Sequence, residues 1–447
     1  MRRILDAPIV HSAHPARPLL FAGGRVVPIA EFLASVRQVA AALPGNGPIV
    51  NLCEHRDRFL TVYCAALLCG RTNLLPPSRA PLVIEDVVSV YSGSFCCDDA
   101  WVARALGQQS AAADGAAELP LIPAEQIVEI AFTSGSTGIP RAHVKRWRSL
   151  LGTTAFNAAR LRECLAPRWR DCRPWIVATV PPQHMYGTET SILLPLVADM
   201  AVHAARPLFP ADVAAALAEV PAPRVLVSTP VHLRALVDSG LRFPEVGVLV
   251  SATAPLERTL AAAAEQLFGA VMLEMFGSTE TCVIATRRTA HEDGWHLYPG
   301  VVLEPTPNGA RVEAPWFDAP TTLQDVVELE GGDRFIVRGR NADMIEVAGK
   351  RASIADLNRR LLAIAGVRDA AVLQPEEGSG AVRRVAAFVV APGLTAEAIL
   401  VELGRSVDPA FLPRPLVLVS ALPRNELGKL AREALMSLAA EHLTPHE

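Results

Sequence analysis

Along the chain, short β-branched runs alternate with longer stretches whose apolar residues recur at helical spacing. Residues 127–132 (Ile-Val-Glu-Ile-Ala-Phe) read as a strand, and a Gly/Ser/Thr loop follows them. From His143 to about Cys164 the apolar positions Val144, Trp147, Leu150 and Leu151 predict a helix. Residues 175–180 form a second strand pattern, with a loop and a helix-like run after Tyr186. Residues 224–228 and 246–251 repeat the scheme, each leading into Ala/Leu-rich helical sequence, and 271–275 close it. Such alternation predicts an α/β fold of parallel, helix-covered sheets, and places ligands at the carboxyl ends of the strands. After about Ala290 the texture changes to short alternating runs with little helix over 299–339. A tail of about a hundred residues then carries its own strand and helix signals, at 345–347, 355–362, 368–373 and 385–390, enough for a small α+β domain.

The 447 residues suggest two or three domains at about 150 residues each. With 51% hydrophobic and 20% charged residues the chain is a packed globular protein, which excludes a disordered one. Lys+Arg 42 against Asp+Glu 46 gives −4, so no basic field draws nucleic acid, and any anionic ligand needs local donors. No apolar run reaches the roughly 18 residues of a membrane span; the best stretch, 191–205, is broken by Pro195, Asp199 and His203. Asp6, Pro8 and His11 stand where a signal peptide needs apolar residues. The eight cysteines (53, 64, 69, 96, 97, 164, 172, 282) show neither a disulfide framework nor paired CxxC spacing. The expectation is a cytoplasmic protein with no nucleic-acid partner and no membrane insertion. The stretch from His291 to His296 lacks the i, i+4 histidine pair of a zinc helix and reads as a solvated loop.

Four segments carry candidate chemistry. Thr133-Ser134-Gly135-Ser136-Thr137-Gly138-Ile139-Pro140-Arg141, read as lying between a strand and a helix, can turn backbone N–H and hydroxyl groups onto an anion. It is not a P-loop, and taken alone it is equally a polar turn. Glu274-Met-Phe276-Gly277-Ser278-Thr279-Glu280 ends a predicted strand with a ring that can stack a base, a hydroxyl for phosphate and a carboxylate for Mg²⁺. The plainer alternative is a core Phe beside a solvated Glu. Asp325, followed by Arg340, suits ribose hydroxyls and sugar or phosphate, although such a pair is ordinarily a surface ion pair. Pro423-Arg424-Asn-Glu-Leu-Gly428-Lys429 presents a lysine after a glycine, where a lone lysine would be solvated surface.

Together and in this order, these segments resemble the acyl-adenylate-forming (ANL) superfamily, which includes acyl-CoA synthetases, adenylation domains and luciferase-like enzymes. Its signatures are (S/T)SG(S/T)TGxPK, YGxTE, TGD, GRxD and PRxxxGK, and the resemblance runs from about residue 126 to 432. Pro181-Pro-Gln-His184-Met-Tyr-Gly187 resembles the PxxHxxG segment, whose histidine lines the carboxylate pocket. Ser251-Ala-Thr253-Ala254-Pro255-Leu256 resembles the SGGAPL turn that passes the adenine, and Gly349-Lys-Arg351 the GxR after the hinge. The departures are Arg141 for lysine, Phe276 for tyrosine, Leu323-Gln324-Asp325 for TGD, and a shorter region before Thr133.

The resemblance implies a large domain over 1–339, built of parallel βα-layered sheets with a small barrel-like part. It further implies a hinge at 340–343, turning at Ala342 or Asp343, and a small mobile α+β domain over 344–447. It implies ATP and Mg²⁺ as cofactors: residues 133–138 hold the β- and γ-phosphates, Thr279 contacts phosphate and Glu280 places the metal. Phe276, Gly277, Ser278 and the 253–255 turn flank the nucleotide, with Asp325 and Arg340 at the ribose. Lys429 would bridge substrate carboxylate and α-phosphate, then leave by hinge rotation, so that Gly349 and Arg351 serve the thiol step. The implied reaction turns a small carboxylic acid into acyl-AMP, then transfers it to the phosphopantetheine thiol of CoA or of an acyl carrier protein.

Amine-binding relatives carry an Asp in the His184 region. Here residues 188–191 offer Glu189 instead, which favours an acid without an α-amine. The continuation Pro140-Arg-Ala-His143-Val-Lys145-Arg-Trp147 and the short N-terminal region resemble small ligases of aryl-polyene and xanthomonadin pigment pathways, which implies a hydroxybenzoate-type acid. His143 and Lys145 read equally as solvated residues on a first helical turn. The competing readings are a fatty-acyl-CoA ligase, a stand-alone amino-acid adenylation enzyme and a non-catalytic nucleotide-binding relative. Retention of Thr279, Glu280, Asp325 and Lys429 speaks against the last.

Overall fold

The computed structural model describes residues 6–12, 14–77, 79–107, 119–133, 141–307, 309–340, 344–347, 350–374, 385–407, 409–426 and 428–443. They pack into two compact units, one from 1–252, 262–288 and 315–318, the other from 253–261, 289–314 and 319–447. The boundary expected at 340–343 falls inside the second unit, and both hinge candidates, Ala342 and Asp343, lie outside the described residues.

In the first unit, Trp175–Ala178, Arg224–Ser228, Val248–Ser251 and Val271–Ser278 lie side by side in parallel. The first three are apolar at consecutive positions and buried almost throughout. A strand apolar on both sides needs cover on both faces, which helical crossovers between parallel strands supply. Ala201–His203 and Pro18–Ala22 extend the sheet at one side, and Cys282–Arg287 pairs antiparallel to Val271–Ser278 at the other.

A second sheet runs in the order Phe95–Cys97, Ile49–Asn51, Asn73–Leu75, Ile127–Thr133, Arg141–Arg146. All its pairs are parallel except the last. The helix Arg56–Leu68 of this region is buried at nearly every position.

The last strand corrects the sequence reading. Residues 141–146 form a strand, and the helix begins only at Trp147 (Trp147–Cys164). Alternation is present but inverted: His143 and Lys145 point inward while Val144 between them is 47% exposed. An apolar-periodicity argument therefore misassigns the segment, because its inward face is charged. The residues on either side of 134–140 are thus antiparallel partners, Thr133 opposite Arg141, rather than a strand and a helix.

In the second unit the strands Asp325–Gly331 and Arg334–Arg340 form a hairpin with Trp295–Leu297 beside it. Val302–Thr306, Gly309–Glu313 and Thr321–Leu323 form a further antiparallel sheet. Toward the C-terminus, Asp369–Leu373, Ala386–Val390 and Leu416–Leu418 make a sheet with apolar residues on both faces. Ala370, Val372, Ala387 and Val389 pack with Leu357, Leu361, Ile399 and Leu403 on the helices Ile354–Leu362 and Ala396–Leu403. The alternate residues Ala371, Leu373 and Phe388 pack with Leu422 and with Ala439 of Arg432–Leu443, the period of two expected of a strand. No described helix is long and apolar enough to cross a membrane.

Candidate active site

Val271–Ser278 and Cys282–Arg287 are joined by a turn of Thr279, Glu280 and Thr281. Ser278 N–H donates to Thr281 Oγ1 at 3.1 Å and Thr281 N–H to Ser278 Oγ at 3.3 Å, closing the turn on itself. The strand register slips between Phe276 and Gly277. A Cβ on Gly277 would lie 2.0 Å from the Cys282 carbonyl oxygen, so the bulge requires glycine. Cys282 closes the turn with a φ of 59°, a backbone region seldom adopted by residues other than glycine.

His143 connects this turn to the other sheet. Its Nε2 lies 3.0 Å from Thr133 Oγ1 and 3.6 Å from Glu280 Oε1. The end of the strand that leads into the Gly/Ser/Thr segment and the Glu280 carboxylate thus meet on one imidazole. Burial, with Lys145 and Arg141 nearby, outweighs the pull of Glu280 and holds the His143 imidazole below its ordinary value. Burial works to raise the Glu280 carboxyl. Hydrogen bonds from its own N–H and from Ser278, together with His143 and Lys145, nevertheless leave it below the usual carboxylate range.

Beneath the turn lies a buried charged cluster. Lys145, 5% exposed, donates from Nζ to the Glu280 main-chain carbonyl at 2.7 Å. Its strand partner in register is Glu129, fully buried, which accepts from the Tyr63 hydroxyl at 3.1 Å through one oxygen while the other has no hydrogen-bond partner. Burial pushes the Glu129 carboxyl up to about 7, against the lowering effect of Lys145 and Tyr63. Glu189, also buried, accepts from Val283 N–H at 3.1 Å and Asn157 Nδ2 at 3.1 Å, and burial likewise raises it to about 7.

His184 precedes the short helix Met185–Thr188, which continues through a π-helical turn, Glu189–Leu193, into Leu194–Val197. π-turns inside helices recur at functional sites. A Cβ on Gly187 would lie 2.0 Å from the Pro181 carbonyl oxygen, so the 181–187 turn folds tightly only with glycine there. The Met185 and Cys282 sulfurs touch at 3.4 Å, which with the Glu189 contact seats the His184 segment against the strand that follows Glu280. Arg56 secures the strand ends before it, donating to the carbonyls of Ala178, Val180 and His203 and to Ser191 Oγ. Its burial pushes the guanidinium down to about 9.

The candidate residues Thr253, Ala254, Pro255, Asp325, Arg340 and Lys429 belong to the second unit. Thr253 has a φ of 79°, Ala254 is half-buried and Pro255 is exposed. Asp325 stands directly opposite Arg340 in the hairpin register, so the strand pairing brings these two positions together; the Arg340 side chain lies outside the described part. Lys429 is exposed in a tight loop after Gly428, whose φ is 75°. Asn425 clasps this loop: its N–H donates to the Lys429 carbonyl at 2.8 Å and its Oδ1 accepts from Lys429 N–H at 2.9 Å. Arg424 grips Asp369 with two bonds of 2.7 Å and donates to the Gly428 carbonyl at 2.9 Å. Ser134, Gly135, Ser136, Thr137, Gly138 and Gly349 lie outside the described residues, and only the backbone of Arg351 is described, in the strand Lys350–Ser353.

Two of these findings correct or extend the sequence reading. His143 and Lys145 are not solvated helical residues but inward-facing strand residues, and Glu129 and Tyr63, which belong to no motif, complete their surroundings. The available signal was two charges spaced two apart behind a strand, the spacing of one strand face. Among the described residues no three His, Cys, Asp or Glu converge on a point. A lone ionised carboxylate fits Mg²⁺ in the form it commonly takes, held mainly by substrate phosphates and water.

Residues 62–312 match the AMP-binding enzyme family. The chain belongs to this family. A 4-coumarate–CoA ligase of Halorhodospira halophila is 30% identical over 310 residues, 67% of this chain and 73% of its own length. ATP-bound MatB from Rhodopseudomonas palustris superposes with a TM-score of 0.78 at 18% identity, over 96% of this chain and 97% of that one. The o-succinylbenzoate CoA synthetase of Bacillus subtilis with its acyl-adenylate gives 0.78 at 16% identity, over 97% and 96%. These superpositions establish the fold of adenylate-forming enzymes. As a family member the chain is an AMP-forming acid–thiol ligase of the acyl-CoA synthetase type, which activates a carboxylic acid with ATP.

Proposed function

We propose that this ligase activates an aromatic, hydroxybenzoate-like acid as its acyl-AMP and passes the acyl group to a phosphopantetheine thiol, of CoA or of an acyl carrier protein. The observation that carries the reading is the meeting of Thr133 and the ionised Glu280 on His143, at the carboxyl ends of two sheets. Carboxylate attack on the α-phosphate brings two anions together, so the site must supply positive charge and fixed orientation. In this reading residues 133–138 and Thr279 hold phosphate oxygens, Phe276 and the 253–255 turn flank the base, and Asp325 with Arg340 takes the ribose. Lys429 neutralises the charge between acid and α-phosphate, and His184 lines the carboxylate pocket. Glu280 would hold Mg²⁺, which would supply positive charge to the phosphates there. A hinge at 340–343 then exchanges Lys429 for Gly349 and Arg351 in the thiol step.

The state of Glu189 supports an acid without an α-amine. Its two oxygens are occupied by Asn157 and Val283 inside the core, so the one carboxylate of the His184 region is not offered to a ligand. The aromatic assignment is supported by the relative that is a 4-coumarate–CoA ligase. ATP–pyrophosphate exchange across benzoates, cinnamates, fatty acids and amino acids tests it. A hydroxylated aromatic acid should exchange at least tenfold faster than any fatty or amino acid; a preference for either of the other classes refutes it.

A further inference from the structure

The Thr279–Glu280 turn is held at both flanks by buried charged groups. On one side the ammonium of the buried Lys145 side chain meets the Glu280 carbonyl at 2.7 Å, a partly buried contact in which an unmet carbonyl is costly. On the other side Glu189 receives Val283 N–H at 3.1 and 3.2 Å through its two oxygens. Between them Ser278 and Thr281 exchange hydrogen bonds within the turn. Lys145 reaches this place from the neighbouring sheet, on the face of its strand that also carries His143.

We propose that Lys145 is a positioning residue for nucleotide activation: its buried ammonium, bound to the Glu280 main-chain carbonyl, sets the turn so that Thr279 and Glu280 present their side chains to the triphosphate and its magnesium ion. This rests on the reading of Thr279 and Glu280 given above. The alternative is that Lys145 serves only as the counter-charge of Glu129, its partner across the strand pair.

The double variant Lys145→Met/Glu129→Gln separates the two. It removes cation and carboxylate together, so the core is neutral again, yet the Glu280 carbonyl still lacks its donor. A positioning role predicts native-like thermal melting with ATP binding at least tenfold weaker in the presence of Mg²⁺, measured by calorimetry. The KM for the acid should stay within twofold. Native MgATP affinity in the folded double variant overturns the proposal. If the double variant does not fold, Lys145→Met alone decides, since it removes the donor to the Glu280 carbonyl and leaves Glu129 able to take up a proton. MgATP binding at least threefold weaker supports the proposal, and unchanged binding overturns it. Glu280→Gln is the reference: if it leaves the Mg²⁺ dependence of ATP binding unchanged, the reading of Glu280 fails and the proposal falls with it. A Mg²⁺ shift in Glu280→Gln without one in the Lys145 variants refutes the proposal alone.

Discussion

Replacing Glu129 by glutamine should change how stability depends on pH, by an amount that follows from burial. In the native chain the Glu129 carboxyl is raised from 4.5 to about 7, burial being the main cause. Between these values the folded protein keeps a proton that the unfolded chain has already lost. Stability from this group is therefore fully present below about pH 4.5 and is lost as pH rises through 7. At about 1.4 kcal/mol per pH unit, the loss across the window comes to about 3 kcal/mol. Glutamine keeps the shape and the acceptor for Tyr63 but does not titrate. The native chain's advantage over Glu129→Gln should then shrink by about 2–3 kcal/mol between pH 5 and pH 8. Urea unfolding followed by tryptophan emission reads this out in the right place, since buried Trp147 begins the helix directly after the strand of Lys145. Parallel pH profiles for the two proteins would mean that Glu129 is ionised throughout and the cluster carries a different charge from the one argued.

Lys429→Ala should slow acyl-AMP formation by roughly 10²–10³, as loss of a single charge-stabilising group does, and leave thioester formation from supplied acyl-AMP within threefold. Arg424→Met, which frees the loop from Asp369 but keeps the lysine, should cost roughly tenfold in that first half-reaction alone; equal losses in both half-reactions would refute the placement. Asp325→Ala should raise the KM for ATP by roughly 10- to 100-fold, the value of a charge-assisted bond of about 1.5–3 kcal/mol, and an unchanged KM would remove it from the ribose site. Gly277→Ala should lower stability by about 3 kcal/mol or distort the turn enough to abolish ATP binding, because its Cβ meets the Cys282 carbonyl; a native melting curve with native binding would contradict the bulge geometry.

The large parallel sheet was legible in the sequence because its strands are continuous apolar runs, and Arg224–Ser228 begins and ends where the pattern does. The second sheet was not, since Ile49–Asn51, Asn73–Leu75 and Phe95–Cys97 are three residues each, too short for any period to register. The strand Arg141–Arg146 was misread because it turns charge inward, a choice that makes sense only once Glu129 and the Glu280 carbonyl are seen opposite it. Phe276, Thr279, Glu280, Asp325 and Lys429 stood out by motif order alone. What motif order could not supply is their support: the imidazole between Thr133 and Glu280, the register that pairs Asp325 with Arg340, and the Arg424–Asp369 grip on the lysine loop. Each is a contact between segments distant in sequence, and none is implied by local spacing.

The most direct test of the central claim follows oxygen. Attack of a carboxylate oxygen on the α-phosphate, then thiol attack on the acyl carbon, leaves that oxygen on AMP. The protein is incubated with ATP, Mg²⁺, a phosphopantetheine thiol and a hydroxybenzoate labelled with ¹⁸O in its carboxylate, and the AMP is analysed by mass spectrometry. The account predicts one ¹⁸O atom in each AMP and none in pyrophosphate. Label in inorganic phosphate with ADP as the product, or AMP without label, would contradict it.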